Sequence, residues 1–214
     1  ETKAQWVEII NPTTVLNPVI GYSLWPVDAT SPGTYNFSDL LNTGNMPPID
    51  ITCSGASADN DGANLLGNPY PSYIDWDGLH ETYGSVYYWN GDDYEEWNGG
   101  SGSGSRYVPP MQGFFIIATA SMPDFTLSNA NRCHSNASFY KSGQEIPANS
   151  IVLEAVSLGY SDKLYVTLDD ATNADFDLAR DAYKLLSYTD GLSELYSYTG
   201  DKKLSIDVRP GCEV

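Results

Sequence analysis

Hydrophobic positions occur along the chain in short runs, and clusters of Gly, Pro, Asn and Asp separate these runs. The runs are rich in Val, Ile, Thr and Tyr and show no convincing helical period, which is typical of β-strands. Their spacing, one strand per roughly 10 to 15 residues, predicts an all-β chain: an antiparallel β-sandwich or jelly-roll-like fold of two packed β units. The predicted strands are Trp6–Ile10, Gly21–Trp25, Gly33–Phe37, Ile49–Cys53, Ala63–Gly67, Ser85–Trp89, Tyr94–Trp97, Met111–Ala118, Asp124–Leu127, Ile151–Leu158, Lys163–Leu168, Ala182–Ser187, Glu194–Tyr198 and Lys203–Val208.

Two loops stand out between these strands. Asn90-Gly91 joins two aromatic strands, and both residue types accept the positive φ angles of a tight hairpin turn, so we expect a hairpin there. The stretch Gly99–Ser105 reads GGSGSGS and has no large side chain to bury. We expect it to form a mobile loop inside the first part of the chain rather than a linker between domains.

A polar stretch, residues 141–150, divides the chain into two parts. Residues 1–143 form an aromatic-rich domain, and residues 144–214 form a second, smaller β-strand domain. A unit of about 70 residues with five strands is only marginally stable alone. We therefore expect the second domain to pack on the first or to continue into further chain, and we favour a piece of a longer protein.

Charge excludes several classes of partner. Ten Lys and Arg against 28 Asp and Glu give a net charge of −18, which repels nucleic acid and anionic lipid surfaces. The longest apolar run, Phe114–Ala118, is far shorter than the roughly 20 residues of a membrane helix, so no membrane insertion is expected. The opening residues ETKAQW carry no signal-peptide pattern, so the chain is either cytosolic or the mature part of an exported protein.

The sequence carries none of the common catalytic motifs. GxSxG, HExxH, the phosphate-binding GxxxxGK[ST] loop and a dinucleotide-binding GxGxxG are all missing, and only His80 and His134 ionise near neutral pH. We therefore predict that the chain is not an enzyme. A glycosidase needs only two carboxylates across a cleft, so a polysaccharide-active enzyme remains a lesser alternative. Its candidate acids are Asp75, Asp77, Asp92, Asp93, Glu95 and Glu96.

Two acidic stretches suggest a structural calcium ion, because calcium prefers six to eight oxygen ligands. The first comprises Asp169, Asp170, Asn173, Asp175 and Asp177, and the second is Asp59-Asn60-Asp61-Gly62. Neither fits an EF-hand loop, and ordinary turn residues that cap the backbone are the alternative. The three cysteines show no CxxC spacing, which leaves open either a Cys53–Cys133 disulfide or unpaired thiols.

Aromatic residues near acids and amides suggest a glycan-binding surface, because sugar rings stack on aromatic faces while Asp and Asn bind hydroxyl groups. The alternative is that alternate members fill the core and the others form cross-strand pairs. The candidate ligand-binding residues are Trp76, Tyr88, Trp89, Asp92, Asp93, Tyr94 and Trp97.

Three segments resemble a β-sandwich module of large cell-surface or secreted proteins of Bacteroidetes. They are the run of residues 64–76, NLLGNPYPSYIDW, then Tyr88-Trp89-Asn90, and then residues 108–115, VPPMQGFF. Residues 171–177, 181–185 and 204–207 are similar to the segment that follows the module in such proteins. The resemblance implies a β-sandwich in an extracellular protein of the type IX secretion kind, but it carries over no catalytic residue.

Taken together, these observations favour a non-catalytic extracellular module for adhesion or glycan binding within a longer secreted protein. Its expected partners are a glycan or another cell-surface molecule and the other domains of the same polypeptide. The alternative is a structural spacer or a filament subunit of a surface appendage, which would self-assemble. The same acidic surface and lack of enzyme motifs fit both.

Overall fold

The computed structural model describes residues 8–11, 13–24, 38–55, 61–120, 122–137, 146–157, 159–187 and 191–211. Helical structure in these ranges comprises one α-helical turn, α1 (His80–Tyr83), and the 3-10 turns Trp76–Gly78 and Asn129–Asn131, none of which could cross a membrane. The strands are β1 (Ala63–Gly67), β2 (Tyr73–Asp75), β3 (Val86–Trp89), β4 (Tyr94–Trp97), β5 (Tyr107–Val108), β6 (Gly113–Ile117), β7 (Arg132–Cys133), β8 (Ser150–Ser157), β9 (Tyr160–Leu168), β10 (Ala182–Tyr183), β11 (Ser197–Thr199) and β12 (Lys202–Arg209).

These strands form three sheets, and the all-β prediction is confirmed. The first sheet has the order β1-β6-β3-β4 and the third has the order β5-β2-β7, both antiparallel. The second sheet has the order β10-β12-β9-β8, and β11 also pairs with β12. Its β9–β12 pair is parallel, because the chain crosses over through residues 169–201 before β12 begins.

The first sheet is buried on both faces, which explains why its central strands β3 and β6 are almost continuously apolar. Phe114 and Ile116 of β6 point into a first core cluster, whereas Phe115 and Ile117 pack in a second cluster on the opposite face. Tyr88 and Tyr87 of β3 divide in the same way. Because successive side chains of a strand point to opposite faces of the sheet, β3 and β6 each contribute to both clusters.

The second cluster joins the first sheet to the second. Tyr87 and Ile117 pack there with Tyr165 of β9 and Ile206 of β12, all of which are buried. The two parts of the chain on either side of residue 143 thus share a hydrophobic core. The predicted boundary itself lies outside the described residues and stays a prediction.

The predicted strand positions agree with the structure in some segments and differ in others. The prediction gave β1 and β4 with their observed bounds, whereas Gly33–Phe37 lies outside the described residues. Ile49 and Phe125, each predicted within a strand, form only an isolated bridge with one another. The short strands of the third sheet were not predicted, because two or three residues carry no periodic signal.

The turn at Asn68, between β1 and β2, holds the first and third sheets together. Asn68 is buried, and its Nδ2 donates to the carbonyls of Ser72 at 2.9 Å, Val108 at 3.0 Å and Pro109 at 3.0 Å. Its Oδ1 accepts the N–H of Tyr70 at 2.9 Å. One amide side chain thus satisfies backbone groups that the prolines around it leave without sheet partners.

The Gly-Ser stretch is packed against β4, contrary to the loop predicted from its composition. The N–H of Gly104 donates to the Glu96 carbonyl at 2.8 Å, and Ser101 and Ser105 are buried. A Cβ at Gly102 would lie 2.0 Å from the Glu96 oxygen. The glycines of this stretch have no side chains, so its backbone can lie close to the backbone of β4. They allow close packing here and do not make a mobile loop.

Candidate functional site

The β3–β4 hairpin carries the predicted ligand-binding residues, and its turn forms as the sequence indicates. The N–H of Asn90 donates to the Asp93 carbonyl at 3.0 Å, and the Asn90 side chain accepts the N–H groups of Asp92 and Asp93. Gly91 adopts a φ of 112°, which favours glycine. The turn presents Asp92 to solvent and directs Asp93 inward.

Three of the predicted ligand-binding aromatics belong to the first core cluster. Trp76, Tyr88 and Trp97 are buried. The indole N–H of Trp76 donates to the Gly84 carbonyl at 2.8 Å, and that of Trp97 donates to Asp77 Oδ1 at 3.1 Å. The Tyr88 hydroxyl also donates to a main-chain carbonyl, at 2.9 Å. In this fold these rings pack the core, as the core-filling alternative expects, and offer no face to a sugar.

Trp89, Asp92 and Tyr94 form the accessible remainder of the predicted surface, which we call the hairpin rim. Asp92 is exposed, and Trp89 and Tyr94 are half-buried. The Trp89 ring packs edge-on against Tyr94 with centroids 5.0 Å apart, and Tyr94 packs in turn on Phe115 at 5.6 Å. The rim thus presents one aromatic side chain, supported from below, beside an exposed carboxylate.

Asp93 takes part in a buried charged group at the seam between the first and second sheets. The Nζ of Lys184 lies 2.7 Å from Asp162 Oδ1 and 3.6 Å from Asp93 Oδ2. Asp162 Oδ2 also accepts the N–H of Leu195 at 2.6 Å. Glu96 is buried on β4 and interacts electrostatically with the same three side chains. We call Lys184, Asp162, Asp93 and Glu96 the Lys184 cluster.

Burial and charge shift the pKa values of this cluster in opposite directions. Loss of water raises the pKa of Glu96 to about 8 and also raises that of Asp93, although Lys184 opposes both shifts. Burial alone lowers the pKa of Lys184, but the attraction of Asp93 and Asp162 outweighs it and leaves the pKa above its ordinary value. At neutral pH the cluster therefore contains a cationic amine and a protonated Glu96.

The predicted calcium ligands lie in the turns that follow β9. Arg180 pairs with Asp169 and lies 3.8 Å from the Asp177 carboxylate. Hydrogen bonds to the Asp169 carboxylate, first from the Ala171 N–H and then from Arg180, lower its pKa. A guanidinium therefore occupies the position between two carboxylates that a cation would take. The predicted ligands in this segment are Asp169, Asp170, Asn173, Asp175 and Asp177.

The remaining members of this segment bind backbone groups. Asp170 Oδ1 accepts the N–H of Gly211 at 3.1 Å, and the Asn173 side chain accepts the N–H of Asp175 at 2.8 Å. These contacts are the turn-capping alternative to calcium. Across the part of the chain that the structure describes, no group of three or more His, Cys, Asp or Glu side chains could hold a metal ion. Calcium binding remains a prediction.

The second acidic stretch is described only from Asp61 onward. Asp61 accepts the Ser54 N–H at 3.2 Å and hydroxyl at 2.7 Å, and Cys53 donates to it at 3.6 Å. Cys53 and Cys133 are free thiols, so the fold does not contain the disulfide that their spacing allowed. Cys212 lies outside the described residues.

Several candidate acids for the glycosidase alternative are also engaged. Arg106 binds the Asp75 carboxylate at 2.7 Å and the Asp77 carboxylate at 2.9 Å. Its hydrogen bonds lower the pKa of Asp75 despite partial burial. With its pKa lowered by Arg106, Asp75 is poorly suited to donate a proton to a leaving group.

An open cleft of about 970 Å³ lies between α1, the Gly-Ser stretch and the ends of β8 and β9. His80 lines it, with Nδ1 3.1 Å from the Asp77 carbonyl and Nε2 3.3 Å from the Glu81 carboxylate. Asp169 and Arg180 also line it, as an ion pair. The cleft is polar and broad, and its one histidine is already held between two neighbours.

Sequence reasoning named Asp93 as a candidate glycan ligand and Glu96 as a candidate glycosidase acid, and it missed Lys184 and Asp162. A signal for Lys184 exists in the sequence: it is the sole charge in the run Ala182-Tyr183-Lys184-Leu185-Leu186, where its neighbours face the core.

Comparison of the chain with protein-family models, with curated proteins and with solved structures finds no match.

Proposed function

We propose that the chain is a structural module of a secreted or cell-surface protein, and that it associates with a second copy of itself through the open edge of β8. The extracellular setting is what the resemblance to the Bacteroidetes module implies. A structural role agrees with aromatic side chains that are largely used in packing. The open edge of β8 is the observation that carries the proposal.

β8 lies at the end of the second sheet and pairs only with β9 among the described residues. It is eight residues long and contains neither Lys nor Pro. Ile151, Leu153 and Val156 expose 58%, 49% and 72% of their surface. Monomeric proteins usually protect such an edge with charges, prolines or a short strand. A long apolar edge instead favours the addition of another strand.

The backbone of β8 shows which groups are open to a partner. The N–H of Leu168 donates to the Asn149 carbonyl at 2.9 Å, so the odd-numbered positions of this strand are the ones that bond to β9. The N–H and C=O groups of Val152, Glu154 and Val156 therefore point to the open edge. A partner strand bonds to these three residues.

Charge favours a two-fold antiparallel pairing with Leu153 on the axis. Glu154 is the only charged residue of β8, in a chain of net charge −18, so this edge is where two acidic copies repel each other least. With Leu153 on the axis, Val152 faces Glu154 and Ile151 faces Ala155. With Glu154 on the axis, two carboxylates would face each other, which is destabilising.

Cross-linking tests this register. Leu153→Cys, made with the three native cysteines changed to serine, places two thiols at a non-hydrogen-bonded pair with Cα atoms about 4.5 Å apart. This distance suits a disulfide, and we expect a covalent dimer on mild oxidation. Ile151→Cys is the matched control, because its two copies would lie roughly 13 Å apart. Equal cross-linking of both variants, or of neither, contradicts the register.

Sedimentation tests the association itself. We expect the unmodified chain to dimerise reversibly with concentration, and Leu153→Lys to shift it to the monomer. Leu40→Lys introduces the same charge at an exposed residue away from β8 and should not change the association. A chain that stays monomeric at all concentrations refutes the proposed use of this edge.

Glycan binding at the hairpin rim is the second candidate function. Trp89 offers one supported ring beside the exposed Asp92, a minimal version of the surface expected from the sequence. Binding to a glycan array that Trp89→Ala removes would support it. Trp97→Ala would not test glycan binding, because that side chain is buried in the first cluster and its removal would disturb the fold.

A further inference from the structure

The Lys184 cluster holds a primary amine and a carboxylate in a position to react with one another. We propose that Lys184 Nζ and Asp162 Cγ form an intramolecular amide bond, which ties β9 to the segment after β10. This inference is independent of the proposed function.

Distance and burial carry the proposal. The Nζ of Lys184 lies 2.7 Å from Asp162 Oδ1, and the two side chains expose only 2% and 5% of their surface. The two residues are far apart in sequence and lie on different strand segments, so the fold itself creates the contact. Reactants held this closely and shielded from water gain the effective concentration of an intramolecular reaction.

The reaction begins with one proton transfer along the existing hydrogen bond. The ammonium of Lys184 gives a proton to Asp162, which converts the ion pair into a neutral amine and a neutral carboxylic acid. Lys184 rests as an ammonium, because Asp93 and Asp162 raise its pKa. Burial nevertheless makes the neutral pair less costly to reach than it is in water, because two charges lose their hydration there. The amine nitrogen then carries a free electron pair directed at the carboxyl group.

Formation of the amide balances with the loss of one water. Nζ attacks Cγ of Asp162, a new N–C bond forms, and the carbonyl electrons move onto oxygen. The nitrogen then loses one proton, a C–O bond of the former carboxyl group breaks, and its hydroxyl leaves with that proton as water. No oxidant, metal or nucleotide takes part.

Neighbouring groups assist each step. The N–H groups of Leu195 and Lys163 donate to the two Asp162 oxygens at 2.6 and 2.7 Å, which polarises Cγ and stabilises the negative oxygen of the intermediate. Asp93 Oδ2 lies 3.6 Å from Nζ and is placed to accept the nitrogen's proton and return it to the leaving hydroxyl. Asp93 is thus the catalytic residue of this reaction.

Glu96 acts indirectly, as a positioning residue. Its carboxyl group is buried and protonated near neutral pH, so the cluster carries one negative charge fewer than its composition suggests. A charged Glu96 would hold Lys184 as an ammonium and oppose attack. We therefore expect conversion to slow as the pH rises through about 8 and Glu96 ionises, and Glu96→Gln to remove that decrease.

Intact-mass measurement of the denatured chain tests the bond. We expect the folded protein to lose one water, about 18 Da, and a protease digest to contain one branched species that joins the peptides of Asp162 and Lys184. A full mass after long incubation in the folded state overturns the proposal and leaves a buried ion pair. This result needs no variant, so it does not depend on whether a mutant folds.

Variants separate the amide from other dehydrations. The Asp77-Gly78 bond can lose the same mass by cyclisation to a succinimide, but Lys184→Arg abolishes only the proposed bond and keeps the positive charge. If Lys184→Arg loses this mass to the same extent as the unmodified chain, the proposal is refuted. Asp93→Asn should slow conversion by about 100-fold, whereas Asp92→Asn, the neighbouring exposed acid, should not change it. Equal rates in both would remove Asp93 from the mechanism.

Discussion

The first and second core clusters pack against opposite faces of the first sheet and differ in composition. The first is almost wholly apolar and aromatic: Trp76, Phe114 and Phe125 pack with ring centroids 5.4 to 6.3 Å apart. The second has fewer apolar members and adjoins the Lys184 cluster, where charged side chains are buried between two sheets. One face of the sheet relies on apolar contacts, and the other combines apolar contacts with buried charged side chains.

This difference separates stability from specificity. Apolar burial is strong but tolerates many partners, whereas a buried ion pair contributes little net stability and penalises any arrangement that leaves a charge unpaired. Asp93 and Glu96 belong to the first sheet, and Asp162 and Lys184 belong to the second part of the chain. The Lys184 cluster therefore helps to select how the first and second sheets pack on each other, since the first cluster, among the described residues, contains side chains of the first sheet but none of the second.

The largest effect is expected in the first cluster. Trp76→Ala removes a side chain with no exposed surface and its contacts with Phe114 and Phe125, and it should lower the free energy of unfolding by about 3–5 kcal/mol. Urea unfolding followed by circular dichroism measures this change. Val156→Ala, on the exposed edge of β8, is the control and should change the stability little. Comparable losses in both would mean that the first cluster is not the main stabilising core.

The next effect concerns β4, whose Trp97 belongs to the first cluster and whose Glu96 belongs to the Lys184 cluster. Gly102→Ala places a Cβ 2.0 Å from the Glu96 oxygen at a φ of +139°, so we expect a loss of about 2–4 kcal/mol in urea unfolding. Gly100→Ala is the matched control. Its Cβ would meet nothing closer than 3.9 Å, and it should be neutral or slightly stabilising. A neutral Gly102→Ala would return the stretch to the mobile loop that its composition suggests.

These two glycines show how far the sequence could predict the fold. Short apolar runs bounded by Gly, Pro, Asn and Asp predicted an all-β chain and placed β1 and β4 correctly, because these signals lie within and beside each strand. The packing of Gly102 was not predictable, since its reason is a carbonyl oxygen on a neighbouring strand. Composition describes what a segment lacks and does not show which backbone approaches it.

The same limit applies to the candidate site. The sequence places Trp76, Trp89 and Trp97 close together in an aromatic region, but which rings face the core depends on the first sheet being covered on both sides. Asp93 and Asp92 are adjacent and of one type, yet one is buried and the other exposed. Lys184 and Asp162 lie close to Asp93 only in the folded chain.

A smaller effect, which depends on pH, is expected in the Lys184 cluster. Burial holds the pKa of Glu96 at about 8 in the folded chain, above the value of about 4.3 that it has when unfolded. The group therefore favours folding most at low pH, and this contribution is lost as the pH rises from about 5 to about 8. Glu96→Gln should flatten the profile and be more stable than the unmodified chain at pH 8, on the order of a few kcal/mol.

Thermal unfolding at several pH values measures this difference. Glu81→Gln, at an exposed glutamate, is the control and should follow the unmodified chain. Parallel profiles for the unmodified chain and Glu96→Gln would show that Glu96 is solvated and that the seam does not bury it. The first cluster offers a further comparison, because Trp76→Ala should shift the whole profile downward without changing its slope.

The smallest effect on stability is expected at Trp89 of the hairpin rim, which lies at the surface and outside both core clusters. Trp89 is half-buried and packs on Tyr94 at the surface, so Trp89→Ala should lower the free energy of unfolding by only about 1 kcal/mol. Urea unfolding measures the change beside that of Trp76→Ala, which removes the same side chain from the core. A loss as large as that of Trp76→Ala would mean that the rim is part of the core, and Trp89 would then have no accessible face. A small loss leaves Trp89→Ala folded, so any glycan binding that it removes can be assigned to the ring itself, because an intact fold excludes a general loss of structure.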